Sequence, residues 1–209
     1  MRISATCSGF IFALACAVAV GARADEIDVV DARLAVSEEG LLLSADFAFD
    51  FSPRLHEAVA NGVPLHFVVE FEMTRPRWWW LDENTASRHT QWRLSYHALS
   101  RQYRLSSGAL HQNFASLNEA LEVMRRLRNW LVLERSVKLT GSLYEVAVRM
   151  RLDTAQLPRP LQVSAMTNRE LRLESQWKRF LFIPPQPPAA AAAAPAGGAT
   201  RDAQEESVR

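Results

Sequence analysis

Two arginines and three consecutive tryptophans, Arg75-Pro76-Arg77-Trp78-Trp79-Trp80, are the residues of this 209-residue chain best suited to recognition. Trp and Arg are enriched where protein partners are gripped, and indole faces also stack on sugar rings. In an extended backbone Trp78 and Trp80 point one way and Trp79 the other. One side can join a core, and the other needs cover or a ligand. Large aromatic rings are mostly buried, so packing of all three under a loop stays open, as does pairing of Asp82 and Glu83 with the arginines. Arg75, Arg77, Trp78, Trp79 and Trp80 form the candidate interaction site.

Other chemistry is sparse. Glu70 and Glu72 share one face of an alternating segment, about 6.6 Å apart at a strand rise of about 3.3 Å per residue. That is within reach of a glycosidase carboxylate pair, and it is also what any polar sheet face offers. His56, His66, His89, His97 and His111 form no His-x-His or His-x-x-x-His chelate. The glycines between residues 25 and 183 are Gly40, Gly62, Gly108 and Gly141, each at a turn position. They assemble no phosphate loop, dinucleotide fingerprint or nucleophile elbow. The expectation is therefore no catalytic residue, no cofactor and no metal, and a protein that is not an enzyme.

The elements that must carry these residues are mainly strands, read from period-two alternation. Leu65, Phe67, Val69, Phe71 and Met73 alternate with His66, Glu70, Glu72 and Thr74. Tyr144, Val146, Val148, Met150 and Leu152 alternate with Glu145, Arg149, Arg151 and Asp153. Leu43 to Phe51 and Trp92 to Tyr96 repeat the pattern, and Ile27–Val36, 102–106, 131–135, 161–165 and 170–182 are further candidate strands. Two helices interrupt them. Ser52-Pro53 opens the first and Asn61-Gly62 closes it. Ser116 and Glu119 make a capping box for the second, followed by an apolar stripe through Leu117, Ala120, Leu121, Met124, Leu127 and Leu131. Pro158 and Pro160 are expected to fix an extended crossing segment pinned by Leu157 and Leu161. Half-polar strands belong to antiparallel sheets with one wet face. The expected fold is mainly β, an antiparallel immunoglobulin-like β-sandwich with two short helices, with a curled half-barrel as the alternative.

The ends of the chain read differently. Arg2, the uncharged run Phe10–Val20 and Ala22-Arg23-Ala24 follow the order of a secretory signal peptide. The apolar run is shorter than the roughly 20 residues a membrane span needs. Residues 1–24 are expected to be removed between Ala24 and Asp25, and with them Cys7 and Cys16, the only cysteines. Residues 25–183 then form one domain without thiols or disulfides. From Pro184 to Arg209 the Pro/Ala-rich composition predicts a disordered tail. Charge is divided unevenly. Residues 25–85 hold 13 acidic and 4 basic residues, while residues 86–183 hold 7 acidic and 16 basic. Cross-strand pairing of the two halves is the first expectation, and a dipolar surface the other.

Several stretches together resemble a known family. They are Arg77–Trp80 after an Arg-Pro step, Trp-Arg-Leu-Ser-Tyr at Trp92–Tyr96, and Leu-x-x-Ala-Leu at Leu117–Leu121. Tyr144–Asp153 and Leu-Pro-Arg-Pro-Leu-Gln-Val at Leu157–Val163 complete the set. The chain resembles domain of unknown function family 4390, exported Gram-negative proteins sometimes labelled proline-rich signal peptide proteins, over essentially the whole of 25–183. The family carries no established activity, so the resemblance implies no catalytic role. Its genes tend to lie beside those for a ribosomal RNA methyltransferase and a membrane sensor histidine kinase, which implies a periplasmic partner such as a sensor's outer domain.

The functional expectation is a periplasmic, non-catalytic protein-interaction module acting with an unknown protein partner in the periplasm or at the inner membrane. No nucleic-acid ligand and no spanning segment after cleavage are expected. A cell-envelope glycan-binding module using an exposed aromatic patch is the alternative. A hydrolase with carboxylates from separate strands is a third reading.

Overall fold

The computed structural model describes residues 26–76, 83–137 and 139–185. Its strands are β1 (Glu26–Val36), β2 (Gly40–Ala48), β3 (Leu65–Arg75), β4 (Glu83–His97), β5 (Gln102–Ser107), β6 (Leu110–Phe114), β7 (Arg126–Glu134), β8 (Tyr144–Leu152), β9 (Glu174–Ser175) and β10 (Lys178–Phe182). Its helices are α1 (Pro53–Ala60), α2 (Leu117–Met124) and α3 (Arg159–Thr167). Among the described residues all ten strands join one sheet in the order β6-β5-β4-β3-β8-β9-β1-β2-β7, with β10 paired to β8.

The alternation read from sequence places the core. Phe67, Val69, Phe71 and Met73 on β3 are buried, as are Tyr144, Val146, Val148, Met150 and Leu152 on β8. Leu43, Ala45 and Phe47 on β2 join the same cluster, with Phe49 and Phe51 just beyond the strand end. Phe51 stacks on Phe67, ring centroids 5.8 Å apart. Side chains of this size are each worth roughly 1.5–3 kcal/mol on burial. With no disulfide among these residues, burial is the dominant stabilising term.

At a finer level the architecture departs from an antiparallel sandwich. The sheet is mixed, because β1 pairs in parallel with β9 through Glu26↔Glu174 and Ile27↔Ser175. The described strands also form one continuous curled sheet. Register shifts interrupt β1–β2, β2–β7 and β3–β4, and such bulges bend a strand and increase its twist. The two edge strands, β6 and β7, are consecutive apart from α2, which packs against both of them and against β5. The curled alternative is the closer description.

Three local expectations also change. The second helix stops at Met124, because the Arg125 carbonyl accepts the Phe47 N–H at 2.8 Å and so begins the β2–β7 pairing. Leu127 and Leu131 therefore lie on β7, with Leu127 buried and Leu131 exposed. Residues 161–165 are helical rather than extended. Pro158 is the N-cap of α3 and Pro160 sits in its first turn, where a missing N–H and a fixed φ are tolerated. Leu157 and Leu161 do pack against the core as expected. The third helix is therefore one more than the two foreseen. The candidate strand 170–182 divides into a single 3-10 turn at Arg169–Leu171, then β9 and β10.

Candidate functional site

Strands β4, β3 and β8 lie side by side, and their polar residues share the wet face. The register sets Glu70 opposite His89 on one side and opposite Arg149 on the other. Arg151, two residues along β8, stands diagonally from Glu70, within reach of a long side chain. Glu70 is thereby held between two guanidinium groups. Arg149 Nε donates to its Oε2, and Arg151 Nε and Nη2 reach its Oε1 at 3.1 and 3.0 Å. The Glu70 side chain is 19% exposed, those of Arg149 and Arg151 32% and 33%.

The arginines are fixed from behind as well. The Arg149 guanidinium lies 4.5 Å over the Trp177 ring, a cation–π contact. Trp177 is placed there by the turn between β9 and β10. Arg151 Nη1 approaches Asp153 Oδ1 at 3.9 Å. Glu70, Arg149, Arg151 and Asp153, with Glu72 and His89, line a depression of about 390 Å³ on the sheet, and Trp177 supports Arg149 from outside it.

Protonation follows from these contacts. Burial pushes the Glu70 carboxyl up, but the hydrogen bonds and charges of Arg149 and Arg151 outweigh it and hold the group below the usual carboxylate range. His66, beside the depression, is lowered by burial and by Arg93, against a smaller opposing effect from Asp153. Its Nδ1 lies 3.5 Å from Gln91 Nε2, an arrangement that suits a neutral ring accepting from the amide. A carboxylate kept ionised by two arginines is a poor general acid. The arrangement holds fixed charges and planar donors in place.

The residues singled out from sequence are distributed as follows. Arg75 ends β3, half-buried, and its Nη1 donates to Thr140 Oγ1 at 3.4 Å. Arg77, Trp78, Trp79 and Trp80 lie outside the described residues, as do Ala24 and Asp25. Glu70 and Glu72 do share the wet face, but only Glu70 is enclosed by arginines. Among the described residues no group of three His, Asp or Glu side chains could hold a metal ion. No described helix is long and apolar enough to cross a membrane. The contribution of Trp177 was not foreseen, and no local pattern around it signals the contact with Arg149.

Part of the uneven charge division is met by pairing across the fold. Asp46 pairs with Arg128, Asp50 with Arg125, Glu70 with Arg149 and Arg151, and Arg54 with Glu170. Each pair joins one residue from the acidic first half to one from the basic second half, Arg54–Glu170 with its signs reversed.

No curated protein and no solved structure matches the chain. A family model, that of a domain of unknown function (DUF4390), matches residues 24–181. That match covers the helices, the strands as far as Leu181 and every residue of the charged face, and the chain therefore belongs to the DUF4390 family.

Proposed function

We propose that this chain is an exported periplasmic interaction module, non-catalytic, that binds a protein partner through the wet face of β4, β3 and β8. An outer domain of an inner-membrane protein such as a sensor kinase is the partner class that fits the family's setting. The observation that carries the reading is the Glu70–Arg149–Arg151–Trp177 arrangement. It presents ordered guanidinium donors in a shallow depression, and ordering in advance lowers the entropic cost of binding. Both signs of charge are available there, which favours register and specificity over raw affinity. The segment Arg75, Arg77 and Trp78–Trp80 continues from the strand that carries Glu70 and is proposed as a second contact. Export rests on the order of charged, apolar and small residues before Asp25.

The test is cross-linked affinity capture from envelope extracts of the native host. Wild-type chain should recover one protein, and the Glu72→Lys variant, altered at an exposed residue of the depression, should recover much less while melting normally. Equal recovery by both would remove the face from the interaction. A glycan-binding reading rests on the tryptophans. It would be supported instead if soluble envelope glycan retained the chain and Trp78→Ala or Trp80→Ala abolished retention.

A further inference from the structure

Away from the charged face, the last described residues run into an apolar groove. Pro184 and Pro185 follow β10 and line a groove of about 570 Å³. Its apolar walls are Val36, Leu41, Leu133, Val137 and Leu139, with Ser37, Glu38, Glu134 and Arg135 along its polar edge. Leu41 and Leu133 are buried in the sheet beneath, whereas Val36 and Val137 remain 55% and 43% exposed. Two β-branched side chains are thus left open to water beside a channel that the chain itself enters.

We propose that this groove is the docking site of the chain's own Pro184-Pro185-Gln186-Pro187-Pro188 segment, bound in cis as a polyproline II helix. The proposal stands on this groove alone and is independent of the charged face. A polyproline II helix has three residues per turn and rises about 3.1 Å per residue. Pro184 and Pro187 therefore share one ridge, Pro185 and Pro188 the adjoining ridge, and Gln186 occupies the third. The two ridges that begin in the groove carry a second pair of rings about 9 Å further along. Proline has no N–H, so seating these residues against apolar walls leaves no buried donor unsatisfied. The chain is already restricted in φ, so docking it orders little that was free. Attachment to β10 supplies an effective concentration in the millimolar range for a short tether, enough to fill a groove whose intrinsic affinity is weak. Beyond Pro188 the run of six alanines offers only methyl groups, and the contact ends there.

The experiment uses the exported chain purified from the periplasm, with methyl resonances of Val36, Leu133, Val137 and Leu139 followed by NMR. Replacing Pro187 and Pro188 together, as Pro187→Ser and Pro188→Ser, should shift these methyls and leave those of Val69 and Val148 in place. The shifts should be the same at all protein concentrations, and Pro195→Ser should cause none. Unmoved groove methyls would overturn the proposal, as would an equal effect from Pro195→Ser. Shifts that grow with protein concentration would assign the groove to the tail of a second copy and also overturn docking in cis.

Discussion

Replacing Glu70 by Gln removes one charge at the centre of the wet face and little else. Side-chain shape is kept, and one amide oxygen can still accept from an arginine. Exposed ion pairs contribute about 0.2–1 kcal/mol, and hydrogen bonds to charged groups about 1.5–3 kcal/mol. Both pairs here lie between those limits, with the carboxylate 19% exposed and the arginines about a third exposed. A loss of about 1–2 kcal/mol near neutral pH follows, or roughly 2–8 °C in melting temperature for a domain of this size. The pH dependence supplies the sharper test. The folded-state pKa of Glu70 is depressed, so its stabilisation is fully present above the unfolded value of about 4.3. It is lost as pH falls through the lower folded value. Urea unfolding of wild type and Glu70→Gln across that range should show a stability gap that is constant near neutrality and closes in acid. A gap that persists unchanged below the folded pKa, or no gap at neutral pH, would refute the reasoning.

Other perturbations probe the frame that holds the face. Gly40 has φ +147°, and an added Cβ would meet the Leu133 carbonyl oxygen at 2.0 Å; Gly40→Ala should therefore open the β2–β7 edge, seen as faster amide exchange along Leu41–Leu43 and Arg126–Glu134. The Ser52 hydroxyl is buried, donates to the Glu170 carbonyl at 2.6 Å and accepts from the Leu55 N–H at 3.3 Å. Ser52→Ala should cost about 1–3 kcal/mol in denaturant unfolding, through the lost cap and an unsatisfied carbonyl. N-terminal sequencing of protein recovered from the periplasm should read Asp25-Glu26-Ile27, and a chain retaining Phe10–Val20 would contradict cleavage after Ala24.

Much of the frame was legible because alternation and capping are local signals. Phe67, Val69, Phe71 and Met73 reveal the buried face of β3 without knowledge of its neighbours. Ser52 with Pro53, and Ser116 with Glu119, mark helix starts by side-chain hydrogen bonds that the structure contains. The end of α2 was not legible. Leu127 and Leu131 continue its i+3/i+4 spacing, and only pairing with β2, some 80 residues earlier, turns that stretch into a strand. Pro158 and Pro160 mislead in the same way, since proline forbids a helix interior but favours a first turn. The charged face depends on register. Glu70 is separated from Arg149 and Arg151 by 79 and 81 residues, and alternation gives the side each residue faces but not its partner.

On the proposed function, the wet face of β4, β3 and β8 is the surface that meets a partner. Site-specific photo-cross-linking in the native host tests it most directly. A photoreactive residue at Glu72, exposed within the depression, should capture one envelope protein. The same residue at Leu99, fully exposed in the turn between β4 and β5, should capture none. Capture from Leu99 but not from Glu72 would place the interaction elsewhere and contradict the account.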